Sequence, residues 1–176
     1  MRFHHPDQWR AFIDSLSLDP DVPSSVSAKY FRAQKLYLIG WIDLDLVKAG
    51  ELAALVALEV ALRDRYGKEV ALKDRRGQMP FRSLLKHMVG SDGLTDTRIP
   101  MIVRWGGTAI GFVDGSARPG LAEIRNAAAH GDPFDGFPIG GLLELVRDLI
   151  EYAYRHYLAE ARLIASPPSL NSPQTN

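Results

Sequence analysis

Apolar residues recur at helical spacing through most of this chain, and that period predicts its elements. The strongest case runs from Leu44 to Tyr66. It is rich in Ala, Leu, Glu and Arg, holds no proline, and meets Gly67 as a stop. Leu52, Leu55, Val56, Leu58, Val60 and Leu62 give it an apolar surface that must pack on other helices, while Gly50 weakens its first turns. Upstream, residues 1–22 read as a short amphipathic arm carrying Phe3, Trp9, Phe12 and Ile13, broken by "DPDVPSS". Ser24 or Ser25 can cap a helix over about residues 26–41, whose apolar positions spread widely enough to be buried on more than one side.

Pro80 suits the first turn of a helix carrying Phe81, Leu84, Leu85, Met88 and Val89, with Gly90 as its end. Between residues 91 and 118 the helical period fails. There "IPMIVRWGGTAIGFV" places two apolar runs around Gly106 and Gly107, which reads as a short hairpin. A helix is expected again from Pro119 to His130, and a last long one over about 139–164, with Leu142, Leu145, Val146, Leu149 and Ile150 at helical spacing. The polar, proline-containing residues 165–176 predict a disordered tail. The expectation is an all-α bundle over 23–164, preceded by the arm at 1–22, with one short non-helical insertion at 91–118.

Charge and composition narrow the function classes. Lys plus Arg and Asp plus Glu both number 21, so the chain is not a strongly basic, histone-like nucleic-acid binder. With no cysteine it forms no disulfide and no thiolate metal site, which fits a reducing cytosol. "MRFHHPDQWR" lacks the apolar run of a signal peptide, and "LAALVALEVAL" is too short to span a bilayer and contains Glu59. A cytoplasmic protein without a membrane partner is expected. The charge is nevertheless uneven: eight Lys or Arg stand against three acids between Arg63 and Lys86. That surplus marks a phosphate-facing edge, with Arg75, Arg76, Arg82 and Lys86 as candidate substrate-binding residues. The same charges also read as a solvated loop.

The candidate chemistry lies in "EIRNAAAHGDPFDG" at 123–136. Helix geometry puts Asn126 and His130 about 40° apart around the axis, and Arg125 and His130 about 140° apart. Asn126 can therefore support the imidazole while Arg125 reaches in from the flank. Gly131 ends the helix at the histidine, and three alanines leave room for a large substrate. The residue types suit phosphodiester chemistry: histidine exchanges protons near neutral pH, and a guanidinium binds phosphate and the charge that builds on it. With a 2′-hydroxyl as nucleophile no metal is needed, and Glu123, Asp132 and Asp135 straddle a helix end rather than forming a two-metal carboxylate cluster. The bland alternative is a helix-terminal histidine serving the last carbonyls and the helix dipole.

The stretch "EIRNAAAHG", at a helix end just before a last long helix, resembles the Arg-x(4–6)-His motif of HEPN domains (higher eukaryotes and prokaryotes nucleotide-binding). A polar residue directly after the arginine is typical of that motif, and Asn126 occupies the place. "LAALVALEVALRDRYG" is similar to the long helix of many bacterial HEPN-like proteins. The likeness covers most of 26–160, but only 125–130 carry specific residues. It implies an all-α bundle that dimerises so that two copies of the motif share a cleft. It also implies a metal- and cofactor-independent endoribonuclease of toxin–antitoxin or other defence systems, with RNA as substrate and an antitoxin as partner. In that scheme Arg125 binds phosphate, His130 acts as acid or base, Asn126 orients the site, and a 2′,3′-cyclic phosphate results.

Two other readings stand beside it. One is an inactive HEPN-like module that binds a nucleotide or a protein; the other is a helical adaptor holding a partner through Trp9, Trp41 and the arm. Metal catalysis and a serine hydrolase fit poorly: His4, His5, His87, His130 and His156 show no ligand spacing within one element, and no Gly-x-Ser-x-Gly occurs.

Overall fold

The structure is a computed structural model and describes residues 3–73, 77–131 and 137–165. Among the described residues every regular element is helical, so the chain is all-α. The helices are α1 (Pro6–Asp14), α2 (Ser24–Ile39), α3 (Asp45–Lys73), α4 (Phe81–Gly90), α5 (Pro100–Trp105), α6 (Ile110–Asp114), α7 (Leu121–Ala129) and α8 (Leu142–Ala165), with a 3-10 turn at Asp96–Arg98 before α5.

Helix α3 is the axis of the bundle, and α2, α4, α7 and α8 all pack on it. Its two glycines explain how. Gly50 sits where a β-carbon would stand 2.6 Å from the Tyr37 ring of α2, so its missing side chain lets the two helices close together. Gly67 does not stop the helix as its type predicts. The helix continues to Lys73, and the Met79 sulfur lies 2.7 Å from where a Gly67 β-carbon would be. Glycine costs about 1 kcal/mol against alanine inside a helix. Here the bare backbone is what admits the segment leading into α4.

The core is filled by Ala54, Leu55, Leu58, Ala61 and Leu62 of α3, Leu84 and Met88 of α4, and Val146, Leu149 and Ile150 of α8. A fully buried leucine or isoleucine contributes about 2 kcal/mol, and these residues form one continuous cluster. Residues 3–22 join it: Ile13, Leu16 and Val22 are buried, and the Trp9 indole N–H donates to the Tyr37 carbonyl at 2.7 Å. Residues 166–176 lie outside the described residues.

The hairpin expected within 91–118 does not form. Its apolar runs instead make the short helices α5 and α6, joined through Gly106 and Gly107, both at positive φ. One carboxylate organises the joint. Asp96 accepts from the Thr108 hydroxyl at 2.6 Å and from the backbone N–H groups of Ala109 and Ile110 at 2.7 and 3.2 Å, which satisfies the start of α6. Asp148, buried in α8, accepts from the Met101 N–H at 2.6 Å and does the same for α5. Distant aspartates, unreadable from local pattern, turn both apolar runs into helices rather than strands.

Candidate functional site

Helix α7 carries the motif and rests on α3 and α4. Its start is fixed by Glu123, whose carboxylate accepts from the Gly120 N–H at 3.2 Å. Its end is the histidine: the His130 N–H donates to the carbonyls of Asn126 and Ala127, and Gly131 takes the chain away at φ +81°. The predicted helix end therefore stands where the sequence placed it. The His130 side chain is exposed and has no hydrogen bond or ion pair among the described residues. Asp132 and Asp135 lie outside them.

Arg125 is held from below. Its Nη2 lies 2.6 Å from Oε2 of Glu59, a carboxylate buried in the middle of α3, and its Nη1 donates to the Asn126 side-chain oxygen at 3.2 Å. Asn126 thus braces the arginine rather than the imidazole. The Arg125 Nε is buried without a hydrogen-bond partner. Glu59 is bridging: its other oxygen lies 2.8 Å from Nη2 of Arg63, one helical turn along α3. A guanidinium carries five donors in a fixed fork. With one Nη1 hydrogen given to Asn126 and Nη2 ion-paired with Glu59, Arg125 still has Nη hydrogens to offer an incoming oxyanion.

A second ion-pair group stands on another side of α7. Arg82 of α4 lies 2.5 Å from Glu123 Oε1, and Arg118 lies 4.0 Å from the same oxygen. The Gly120 N–H hydrogen bond, with the Arg118 and Arg82 charges, holds the Glu123 carboxyl below its usual range. Glu123 and Arg125 are about 200° apart around the helix, so Arg82 does not join the Arg125 pair. Glu123 and His130, seven residues apart, fall within about 20° of one another and about 10 Å apart along the axis. Arg82 is therefore on the histidine's face of α7.

Comparison with family models, with curated proteins and with solved structures finds no match to this chain.

Of the expected substrate-binding residues, Arg82 reaches Glu123 of α7, and Lys86 is exposed one turn further along α4. Arg75 and Arg76 lie outside the described residues. Glu59 and Arg63 were missed as site residues. The available signal is their i, i+4 spacing, which joins opposite charges on a helix; that α7 lies across the pair is a tertiary relationship no spacing within α3 encodes. Among the described residues no three His, Asp or Glu side chains are grouped as a metal site would require, and no helix is long and apolar enough to cross a membrane.

Proposed function

We propose that this chain is a HEPN-type endoribonuclease, acting as a homodimer in which two α7 ends share a cleft. The observation that carries the reading is an exposed His130 at the end of the helix that also carries a braced, half-buried Arg125. In the reaction the 2′-oxygen of one nucleotide attacks its own phosphorus and the 5′-oxygen of the next leaves. The 2′-hydroxyl proton goes to one histidine and the leaving oxygen takes a proton from an acid, which leaves a 2′,3′-cyclic phosphate and a 5′-hydroxyl. His130 of each copy supplies base or acid, and Arg125 stabilises the charge building on the phosphoryl oxygens. RNA brings its own nucleophile, so the scheme needs no metal. A toxin or defence role with a neutralising partner protein belongs to the same proposal.

The test is cleavage of a labelled single-stranded RNA in chelator by the parent, Arg125→Ala and His130→Ala proteins. The proposal requires a cyclic-phosphate end in the parent and a loss of about a hundredfold or more in both variants. Equal cleavage by all three sinks it.

One observation favours a second reading, a non-catalytic module that binds a nucleotide or a protein. Arg125 is tied within the chain to a buried carboxylate, and a tied arginine also serves structure alone. Retained RNA or nucleotide binding with no cleavage product would select that reading.

A further inference from the structure

Away from the motif, a half-open cavity of about 510 Å³ lies between α1, the end of α2, the start of α3, α5 and the start of α8. None of Arg125, Asn126, His130 or Glu59 lines it. Its walls are mostly apolar, with Trp9, Phe12, Met101 and Trp105 among them, and its size is that of a small-molecule site.

Two polar side chains in this wall are incomplete. Tyr37 is buried, and its hydroxyl has no hydrogen-bond partner and meets no solvent. Glu144, in the first turn of α8, is 3% exposed. Its Oε1 lies 3.2 Å from Nη1 of Arg104 but makes no aligned hydrogen bond. Orphaned buried polar atoms cost a folded protein stability and are few in native structures. Both residues line one apolar cavity, and a small side-chain movement that opens these atoms to it would let a ligand with a matching polar end satisfy them.

The charges define that end. Arg104 already balances Glu144, and Lys48 balances the nearby Glu51 at 2.9 Å, so a cation finds no uncompensated anion. An anion would face the Glu144 carboxylate directly. A neutral hydroxyl meets neither objection: it donates to a carboxylate and accepts from a phenol. Burial, with Glu51 and Tyr30 adding to it, pushes the Tyr37 hydroxyl pKa well up, so it keeps its proton. The last torsion of a glutamate is soft, which lets the Glu144 carboxylate turn an oxygen toward the cavity.

We propose that this cavity binds a neutral apolar molecule carrying a hydroxyl group, its polar end held by Glu144 and Tyr37. The apolar body lies against Trp9 and Trp105, and the exposed Leu44 and Trp105 form the mouth.

The probe is 1-octanol, titrated into the full chain and followed by intrinsic tryptophan fluorescence and calorimetry, with octanoate as its anionic counterpart. The expected result is saturable, one-site binding of octanol, with octanoate about tenfold weaker or more. Glu144→Gln should erase most of that preference. Tyr37→Phe, which deletes one orphaned oxygen and leaves the packing intact, should weaken octanol about fivefold while melting no earlier than the parent. Equal binding of octanol and octanoate, absence of saturable binding, or variants that titrate like the parent would overturn the proposal. So would an octanol signal that appears only as a dimer dissociates in sedimentation, since the cavity would then be an interface between chains. RNA cleavage is not among these readouts, so the ribonuclease reading stands or falls separately.

Discussion

Arg125 of α7 and Glu59 of α3 meet at 2.6 Å, and the same carboxylate holds Arg63 at 2.8 Å. One buried acid thus fixes two guanidinium groups from two helices. This arrangement decides what a substitution at Arg125 tests. Its removal leaves Glu59 still paired with Arg63, so Arg125→Ala is expected to fold and to lose about 1 kcal/mol, read by urea unfolding. A loss of RNA cleavage in that variant then reports on chemistry rather than on folding.

Glu59 itself is a positioning residue under the ribonuclease proposal. Glu59→Gln keeps the shape and removes the charge that orients Arg125. The expected outcome is a fall of about tenfold in kcat with KM within about twofold, because the phosphate still binds but the guanidinium is less well aimed. A role confined to stability would instead lower the melting temperature and leave kcat per folded molecule unchanged.

Arg82 contacts Glu123 on the face of α7 that also carries His130. It is too far along the helix to act on the same phosphate, about 10 Å away, and suits a neighbouring one. Arg82→Ala should therefore weaken RNA binding without changing the product. In a plot of log affinity against log salt, the slope should become shallower by about 0.7, the value for one single-strand phosphate contact. An unchanged slope would remove Arg82 from the interface.

How much of this was legible beforehand varies by element. The long helices α3 and α8 and the end of α7 followed from apolar periodicity and from Gly131, which are local signals. Gly67 misled because glycine has two uses, and the one realised here depends on Met79, twelve residues on. The hairpin expected around Gly106 failed for a related reason. Asp96 and Asp148 complete the starts of α6 and α5 from outside those segments, and the second comes from α8. At the site, Arg125, Asn126 and His130 stood together in sequence, whereas Glu59 was visible only as the acid interrupting an apolar run. Its role depends on how α7 crosses α3, which no spacing within either helix encodes.

The N-terminal arm makes a separable prediction. Trp9 donates its indole N–H to the Tyr37 carbonyl in the last turn of α2, and its ring packs edge-on to Phe3 with centroids 5.1 Å apart. Trp9→Phe keeps an aromatic ring and deletes the donor. The expected cost is about 1 kcal/mol, or about 2–4 °C in Tm by calorimetry. An unchanged Tm would mean that the hydrogen bond contributes nothing and that Ile13 and Leu16 alone hold the arm.

Asp92 provides the pH-dependent prediction. It follows α4, and Arg155 of α8 grips both its oxygens at 2.7 and 2.6 Å while the Tyr66 hydroxyl of α3 donates to one of them at 2.5 Å. The Tyr152 hydroxyl donates to the Asp92 carbonyl at 2.8 Å, so a single residue ties three helices together. Burial pushes the Asp92 carboxyl pKa up, but the hydrogen bonds from Arg155 and Tyr66 and the guanidinium charge outweigh it, and the pKa falls below its ordinary 3.8. A carboxyl with a depressed folded pKa releases its proton more readily in the folded chain than in the unfolded one. Its stabilisation is therefore complete above the unfolded value of 3.8, and is lost as pH falls from there through the folded value. Asp92→Asn should cost about 2 kcal/mol in urea unfolding at pH 7, since it leaves Arg155 without its partner. At pH 3 the gap between parent and variant should narrow, because the parent has by then begun to lose the same interaction. An equal gap at both pH values would show that Asp92 acts through its shape and neutral hydrogen bonds, not through its charge.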